Sequence, residues 1–584
     1  MTLVEKEGSS ASSGSSTRLI ILLGILGSVI CLSYFVLIDR FIFSSSYFTP
    51  IFRVLLTVYD SQTAWLSLAV CLMAALWNGP AIVMRLIDYV EAHRFLVIAS
   101  VVALLAIGSV FIYHGCAFSM DEYAAVFQSK IFARGQLYGH LPPSVMRWLI
   151  VPGFNGSFLF ASRETGKVIE GYWPGFALLL APFQFLGVSW LCNALLAGLA
   201  LYLIFLITAE ITGDLRCAGW AMFFCIASGA FVSNAISYYS MQAHVTANLL
   251  FAWLLLKATP PRALMAGLVG SVAIILHNPM PHAVFALPWI LSLAVNRSQR
   301  AYLVPLILGY LPGLGIALVW LILRADIVPV TDNIQSVIGS GVFVLPDEAL
   351  LQMRSAALAK MWLWAVPCLF IFAIVGWARH RNDAGVRLLA CSAALTFVSY
   401  IFVRLDQGHG WGYRYFHSAW GTIPILAGCA LSGKPNLRLV SFAGALTILN
   451  LLIVVPFQMH QIDGIISRHQ AQLPPPRRPG NNVYFIPGGG GFYMVDMVQI
   501  DPMLRDSDLL MLSRGKKLDT ELMHQNWPDA VVVNHGFWAQ QWYLGPDDKR
   551  QVTESDRVRH FVLEFNAVAK IDRPKEFAAH AGGP

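Results

Sequence analysis

Ser119-Met-Asp-Glu-Tyr-Ala-Ala-Val-Phe-Gln-Ser-Lys-Ile-Phe-Ala-Arg134 follows an apolar run at 95–114 and opens a long polar loop. Ser119 with Glu122 three residues on forms a capping-box pattern. Tyr123, Phe127 and Ile131 recur every four residues on one helical face, and Gly135 stands where a helix stops. The stretch predicts a short interfacial helix with two acids, Asp121 and Glu122, at its N-terminal end. Carboxylates complement the positive end of any surface helix, but beside a bilayer water-facing acids also mark sites of reaction or transport.

The surroundings are membrane. The 584 residues are 57% hydrophobic and only 12% charged, with a mean hydropathy of +0.61, which excludes an ordinary soluble protein. Apolar runs of about 20 residues recur, enough to cross a hydrocarbon core of roughly 30 Å. The fold class is therefore an α-helical polytopic membrane protein, with thirteen spans expected at 18–38, 62–84, 95–114, 189–210, 217–236, 239–257, 262–279, 283–296, 302–324, 357–378, 387–404, 416–432 and 439–457. Basic residues such as Arg85, Arg94, Arg216, Arg297, Arg300, Arg379 and Arg438 fall in one alternating set of turns, which reads as the cytoplasmic face. The net charge of +7 follows from those turns and needs no nucleic-acid partner. Nearly all of the nine cysteines lie in or beside apolar runs, without the spacing of a metal site or disulfide framework.

The expected domains are a disordered cytoplasmic segment at 1–17, two extra spans within 18–94, a membrane core at 95–457, a Pro-rich linker at 458–480 and a small extracytoplasmic α/β domain at 481–584. The run after residue 17 ends without a small-residue cleavage pattern and reads as a retained span. Strand-like runs occur at Val483–Ile486, Ala530–Val533 and His560–Phe565. The glycine run 488–491 lacks a following Lys-Ser/Thr and reads as a flexible turn. The loops 115–188, 325–356 and 405–415 and the tail 458–584 all fall on the non-cytoplasmic face, so function is expected there. This one-sided elaboration, without an internal repeat, differs from the matched halves of many secondary transporters.

Within the first loop, Lys130 and Arg134 lie eight and twelve residues after Glu122, and either snorkel to lipid headgroups or place positive charge near the acids. Gly171-Tyr-Trp-Pro-Gly-Phe-Ala-Leu-Leu-Leu-Ala-Pro182 enters a second interfacial helix, with Tyr172 and Trp173 at the boundary. An Asp-Glu pair soon after a span, a Phe-Gln-x-x-Ile-Phe helix ending at glycine, and a Tyr-x-Pro-Gly stretch before the next span together resemble the GT-C membrane glycosyltransferases. The nearest type is the protein mannosyltransferases and aminoarabinose transferases, and the resemblance covers roughly residues 95–457.

That resemblance implies a catalytic acid in the first extracytoplasmic loop, a polyprenyl-phosphate sugar donor, an extracytoplasmic acceptor and an inner-membrane location. Asp121 matches the acid position and Glu122 its neighbour. Gly412-Tyr-Arg-Tyr415 resembles the Tyr-Gly-x-Arg-Tyr boundary of related chains, implying Arg414 as a phosphate-binding cation beside Tyr415. Where relatives often carry Thr-Arg-Pro, this chain has Leu276-His-Asn-Pro279, which gives His277, Asn278 or His282 another task.

The chemistry can also be argued from the residues. Glycosyl transfer from a lipid phosphate needs a base for the acceptor hydroxyl and positive charge for the departing phosphate. Asp121 can supply the first, and Arg404, Arg414, Lys130 and Arg134 the second. One base with a cationic clamp implies a single inverting displacement, because a retaining route needs a second carboxylate about 5 Å away. His244, His277, His282, His409 and His417 could bind substrate, serve structure or, with acids, hold a divalent cation, although no short ligand spacing enforces a metal site. Competing readings are an oligosaccharide ligase with a diphosphate-linked donor, a lipid or polysaccharide transporter, and a membrane scaffold.

Overall fold

The computed structural model describes residues 4–41, 52, 54–327, 343–403, 407, 410–433, 435–471, 473, 482–486, 494–506, 508–528, 531–537 and 561–568. Arg404, His409, the linker residues 474–480 and the glycine run 488–491 lie outside them. The chain divides into two compact units. The first comprises 1–112, 190–315 and 341–461, and the second 113–189, 316–340 and 462–584.

The first unit is helical and membrane-like. Among the described residues of the whole chain, six helices are long and apolar enough to span a bilayer: Ser16–Leu37, Arg94–Phe111, Ser189–Thr212, Arg300–Ala325, Ala384–Ile401 and Leu437–Gln470. Two bent pairs raise the number to eight if each pair is one span. Leu55–Leu76 and Pro80–Ala92 meet at 111°, and Leu215–Ile226 and Gly229–Ile236 at 64°. The protein is thus a multi-pass membrane protein, and six to eight helices among the described residues reach spanning length where the sequence predicts thirteen spans. That count treated as full spans several shorter apolar helices, among them Met241–Leu256, Pro260–Ile275, Met280–Val295 and Leu369–His380. A 16-residue helix such as Met241–Leu256 is only about 24 Å long, short of the roughly 30 Å hydrocarbon core.

The breaks have local causes. Trp77 is extended with ψ 143°, and Pro80 opens the next helix, where its missing N–H costs nothing. Cys368 sits in the left-handed region at φ +68° and starts the helix Leu369–His380 anew, so the span expected at 357–378 is split. Its upstream part is the helix Glu348–Leu363, capped by Asp347, whose carboxylate accepts from the Leu350 N–H at 2.8 Å. At the N-terminus the helix Val4–Phe41 runs through the Ser/Gly stretch where the sequence predicts disorder. The helices Pro260–Ile275 and Leu303–Ala325 approach closely at Gly267 and Gly309. A Cβ on Gly267 would lie 2.1 Å from the Leu306 carbonyl oxygen, so only glycine permits the contact.

The second unit is mixed. A three-stranded antiparallel sheet has the order β1 (Gly139–His140), β3 (Lys167–Glu170), β2 (Leu159–Ala161). A four-stranded sheet has the order β5-β4-β7-β6, from Asn482–Ile486 (β4), Leu509–Leu512 (β5), Val531–Phe537 (β6) and Phe561–Val568 (β7). β4 and β5 run parallel, whereas β7 is antiparallel to both β4 and β6. One apolar core joins the loop and the C-terminal segment: Phe127, Ile131, Trp148 and Val168 pack with Val483, Phe485, Met511 and Trp527. Trp148 Nε1 also donates to Asp519 Oδ1 at 2.8 Å.

Candidate active site

In the second unit, the expected acid helix runs Met120–Phe132, and Gly135 beyond it has φ +69°. Both arms of the capping box are present. Glu122 N–H donates to Ser119 Oγ at 3.4 Å, and Ser119 N–H donates to Glu122 Oε2 at 3.0 Å. Glu122 is fully buried, and the same oxygen also accepts from Tyr113 Oη, Phe118 N–H and Ser119 Oγ at 3.1 to 3.2 Å. Four donors on one carboxylate oxygen fix the start of the helix, and with it the backbone of Asp121.

Asp121 accepts a short hydrogen bond from the Tyr172 hydroxyl. Tyr172 is itself anchored, since its carbonyl accepts from Trp320 Nε1 at 2.8 Å and its ring meets Phe158 edge-on. Trp173 packs in the small cluster of Phe160, Ile169 and Trp320. Lys130 pairs with Asp501 at 3.2 Å, and Arg134 lies half-buried just past the end of the helix. Two further acids are buried in the same unit. Glu170 is buried and its carboxyl is held well above the usual range, first by burial, against the opposing pull of Arg324. Its Oε2 has no hydrogen-bond partner. Asp496 is buried and pushed up to about 7, first by burial and then by the charge of Asp121.

The first unit holds the other expected site residues that fall among the described ones. Arg414 is 7% exposed, and its guanidinium lies 4.8 Å from the Tyr239 ring centre and 5.6 Å from that of Tyr415. Tyr415 stacks on Tyr400 at 5.1 Å with the rings 3° from parallel. Gln407 Oε1 accepts from the Arg414 N–H at 3.0 Å and so holds the turn. A second buried cation, Arg354, donates to Tyr413 Oη at 3.4 Å and to the Val403 carbonyl. Both guanidinium groups lie close enough to the Tyr400 hydroxyl to act on it electrostatically.

The histidines divide. His282 Nδ1 lies 2.7 Å from Asn248 Oδ1 and Nε2 lies 2.7 Å from Tyr310 Oη. Because Asn248 Nδ2 donates to the Ser418 carbonyl, its Oδ1 must accept, which assigns the proton to Nδ1 and leaves Nε2 to accept from tyrosine. His417 Nε2 meets Gln242 Oε1 at 3.3 Å. His244 is buried with neither ring nitrogen hydrogen-bonded and feels the charges of His277 and His282. Asn278 Oδ1 accepts from the Met280 N–H at 3.1 Å, just ahead of the helix Met280–Val295. Among the described residues, no three or more His, Cys, Asp or Glu come together as metal ligands.

No family model matches the chain, and no curated protein does. Solved structures do. Crystal structures of ArnT from Cupriavidus metallidurans, one bound to undecaprenyl phosphate and one in the apo state, align over 84% of this chain and 99% of theirs. Their TM-scores are 0.50 and 0.51, each at 12% identity. The chain shares the overall fold of these structures. At this identity the likeness speaks for the fold alone, and the roles of individual residues rest on the geometry above.

Sequence reasoning missed Arg354, Lys360, Asp60, Glu170 and Asp496. Lys360 was legible, because it stands inside the expected span 357–378, where a charge demands a partner. That partner is Asp60. Both side chains are at most 2% exposed, the ammonium bonds Asp60 Oδ2, and Trp364 Nε1 donates to Oδ1 at 2.8 Å. Asp496 had a fainter signal, a lone acid in Met494-Val-Asp-Met497.

Proposed function

We propose that this protein is an inverting glycosyltransferase that moves a sugar from a polyprenyl-phosphate donor to an extracytoplasmic acceptor, with Asp121 as base. The observation that carries the reading is Asp121 itself. It stands at the first turn of a doubly capped helix and accepts from Tyr172, in a chain whose fold matches that of a protein crystallised with undecaprenyl phosphate. In the reaction, the acceptor O–H gives its proton to the Asp121 carboxylate while the acceptor oxygen forms a bond to the anomeric carbon. The bond from that carbon to the phosphate oxygen breaks, and the electron pair leaves with the lipid phosphate. Such a leaving group is weakly basic and needs positive charge more than a proton, the task that the sequence reading gives to Arg414 and Arg404. Tyr172 and Glu122 hold Asp121 in place. The location is the inner membrane of a bacterial-type envelope, with the acid loop outside the cytoplasm.

The test is release of polyprenyl phosphate from a radiolabelled donor by protein in nanodiscs. Asp121→Asn should lower turnover by about two to four orders of magnitude, the usual contribution of a general base, while donor binding persists. Wild-type rates in the variant would overturn the assignment of the base.

A further inference from the structure

The turn that carries Arg414 rests on one tryptophan. Lys360 and Trp364 lie one helical turn apart at the end of the helix Glu348–Leu363, where the Trp364 N–H donates to the Lys360 carbonyl at 2.9 Å. Both side chains meet the same buried carboxylate: the Lys360 ammonium bonds Asp60 Oδ2, and Trp364 Nε1 donates to Asp60 Oδ1 at 2.8 Å. Asp60 ends the helical stretch Leu55–Asp60, in the segment 18–94 that the sequence sets ahead of the membrane core. Trp364 in turn meets the Arg414 turn. Its carbonyl accepts from the Ala230 N–H at 2.9 Å, and its ring lies 6.3 Å from that of Trp411. A Cβ on Gly412, which has φ +61°, would lie 3.2 Å from Ala230 Cβ and 3.3 Å from Trp364 Cβ, so the bare backbone of the turn sits against both residues. Gln407 closes the same turn. Its Nε2 donates to the Gly410 and Gly412 carbonyls at 2.7 and 2.6 Å, and its Oε1 accepts from the Arg414 N–H at 3.0 Å. The Arg414 stem folds back on that turn, since a Cβ on Gly410 would lie 2.6 Å from Arg414 Cδ.

We infer that Asp60 and Trp364 are positioning residues for Arg414: the carboxylate holds the indole, the indole seats the backbone at Trp411 and Gly412, and the turn so formed sets where the guanidinium meets the donor phosphate. This rests on the reading of Arg414 as a phosphate-binding cation. A guanidinium grips phosphate through a planar fork of hydrogen bonds, so its strength depends on where its stem begins. The stem has little freedom of its own. Arg414 is 7% exposed, and its guanidinium lies 4.8 Å from the Tyr239 ring centre and 5.6 Å from that of Tyr415. Every contact in the series lies within the first unit. A buried ion pair is weak grounds for stability by itself, because an apolar pair of similar volume often serves as well. What an apolar pair could not supply is the acceptor for Trp364 Nε1, and holding that indole is the task of the carboxylate. The spans ahead of residue 95 thereby gain a part in donor binding.

The experiment uses the full chain in nanodiscs and compares binding of polyprenyl phosphate with binding of the uncharged polyprenol of the same length. Trp364→Phe keeps an aromatic ring but loses the N–H. It should weaken polyprenyl-phosphate binding roughly two- to tenfold, the worth of one hydrogen bond, and leave polyprenol binding unchanged. Asp60→Leu with Lys360→Met removes the acceptor without stranding a charge. It should reproduce that selective loss while thermal unfolding stays close to wild type, and it carries the test by itself if Trp364→Phe does not fold. Arg414→Ala should weaken binding of the phosphate lipid roughly ten- to hundredfold, and adding Trp364→Phe should cost nothing more, because the two residues act in series. Equal weakening for phosphate and polyprenol, or an undiminished effect of Trp364→Phe beside Arg414→Ala, would reduce Trp364 to a packing residue and overturn the inference. So would unchanged phosphate affinity in Trp364→Phe and in the charge-free double variant while Arg414→Ala loses it. If Arg414→Ala binds the phosphate lipid as tightly as wild type, the phosphate reading of Arg414 fails, and the positioning role falls with it.

Discussion

The two compact units treat buried charge in opposite ways. In the membrane unit, Lys360 is matched to Asp60 and Trp364, and Arg354 to Tyr413 and the Val403 carbonyl. In the loop unit, carboxylates are met by hydroxyls: Asp121 by that of Tyr172, and Glu122 by those of Tyr113 and Ser119. An unmatched charge inside a bilayer costs too much to keep unless it works. An acid held away from its ordinary proton affinity outside the bilayer is instead a candidate for proton transfer. The contrast separates charges that hold the scaffold from charges that act on substrate.

That separation can be broken by experiment. The largest effect should come from Asp121→Asn, which should leave thermal unfolding nearly unchanged while turnover collapses by about two to four orders of magnitude. Lys360→Met should do the reverse, costing about 3–5 kcal/mol by stranding the Asp60 carboxylate. Thermal unfolding in lipid measures this, and Asp60→Leu with Lys360→Met should recover most of the loss. If the single variant is as stable as wild type but inactive, the membrane pair acts on substrate and the contrast fails. Arg354→Ala should cost about 1.5–3 kcal/mol of stability, as expected for a hydrogen-bonded charge, and leave affinity for the polyprenyl-phosphate donor unchanged. Weakened donor binding with unchanged stability would move Arg354 to the substrate side.

Smaller effects sharpen the loop side. Tyr172→Phe removes the hydroxyl donor from Asp121 and should lower kcat by about tenfold, near 1.4 kcal/mol, with little change in KM. The mildest change is Glu170→Gln. Because the folded carboxyl is raised above its ordinary 4.5, the native state binds more protons than the unfolded one. Wild-type stability should therefore fall as pH rises from that value toward the folded one. The glutamine variant should lose this slope in denaturant titrations at several pH values. A variant curve parallel to wild type would mean that Glu170 ionises normally.

The acid helix was readable because its determinants are neighbours. Ser119 and Glu122 are three residues apart, and Tyr123, Phe127 and Ile131 share a face by helical spacing alone. Arg414 was found through a local pattern, whereas its companion Arg354 was hidden because nothing in Glu348–Leu363 announces that it turns toward Tyr413. Lys360 and Asp60 are 300 residues apart, and Tyr123 and Ile500 are 377 apart. No periodicity links positions so distant. The thirteen expected spans outnumber the helices of spanning length among the described residues for a related reason. Hydropathy averages over a window and reads apolar length, but bends at Trp77, Ala227 and Cys368 depend on backbone angles and caps that the average erases.

The amino-acid sequence by itself determined the membrane class, the acid-bearing helix and the family likeness, because composition, helical period and capping are carried by residues close in the chain. Only the tertiary structure decided where the helices break, that Asp60 matches Lys360, and that the C-terminal segment packs along the acid helix. Those outcomes depend on how distant segments pack, and on the need to pair or neutralise each charge that packing buries.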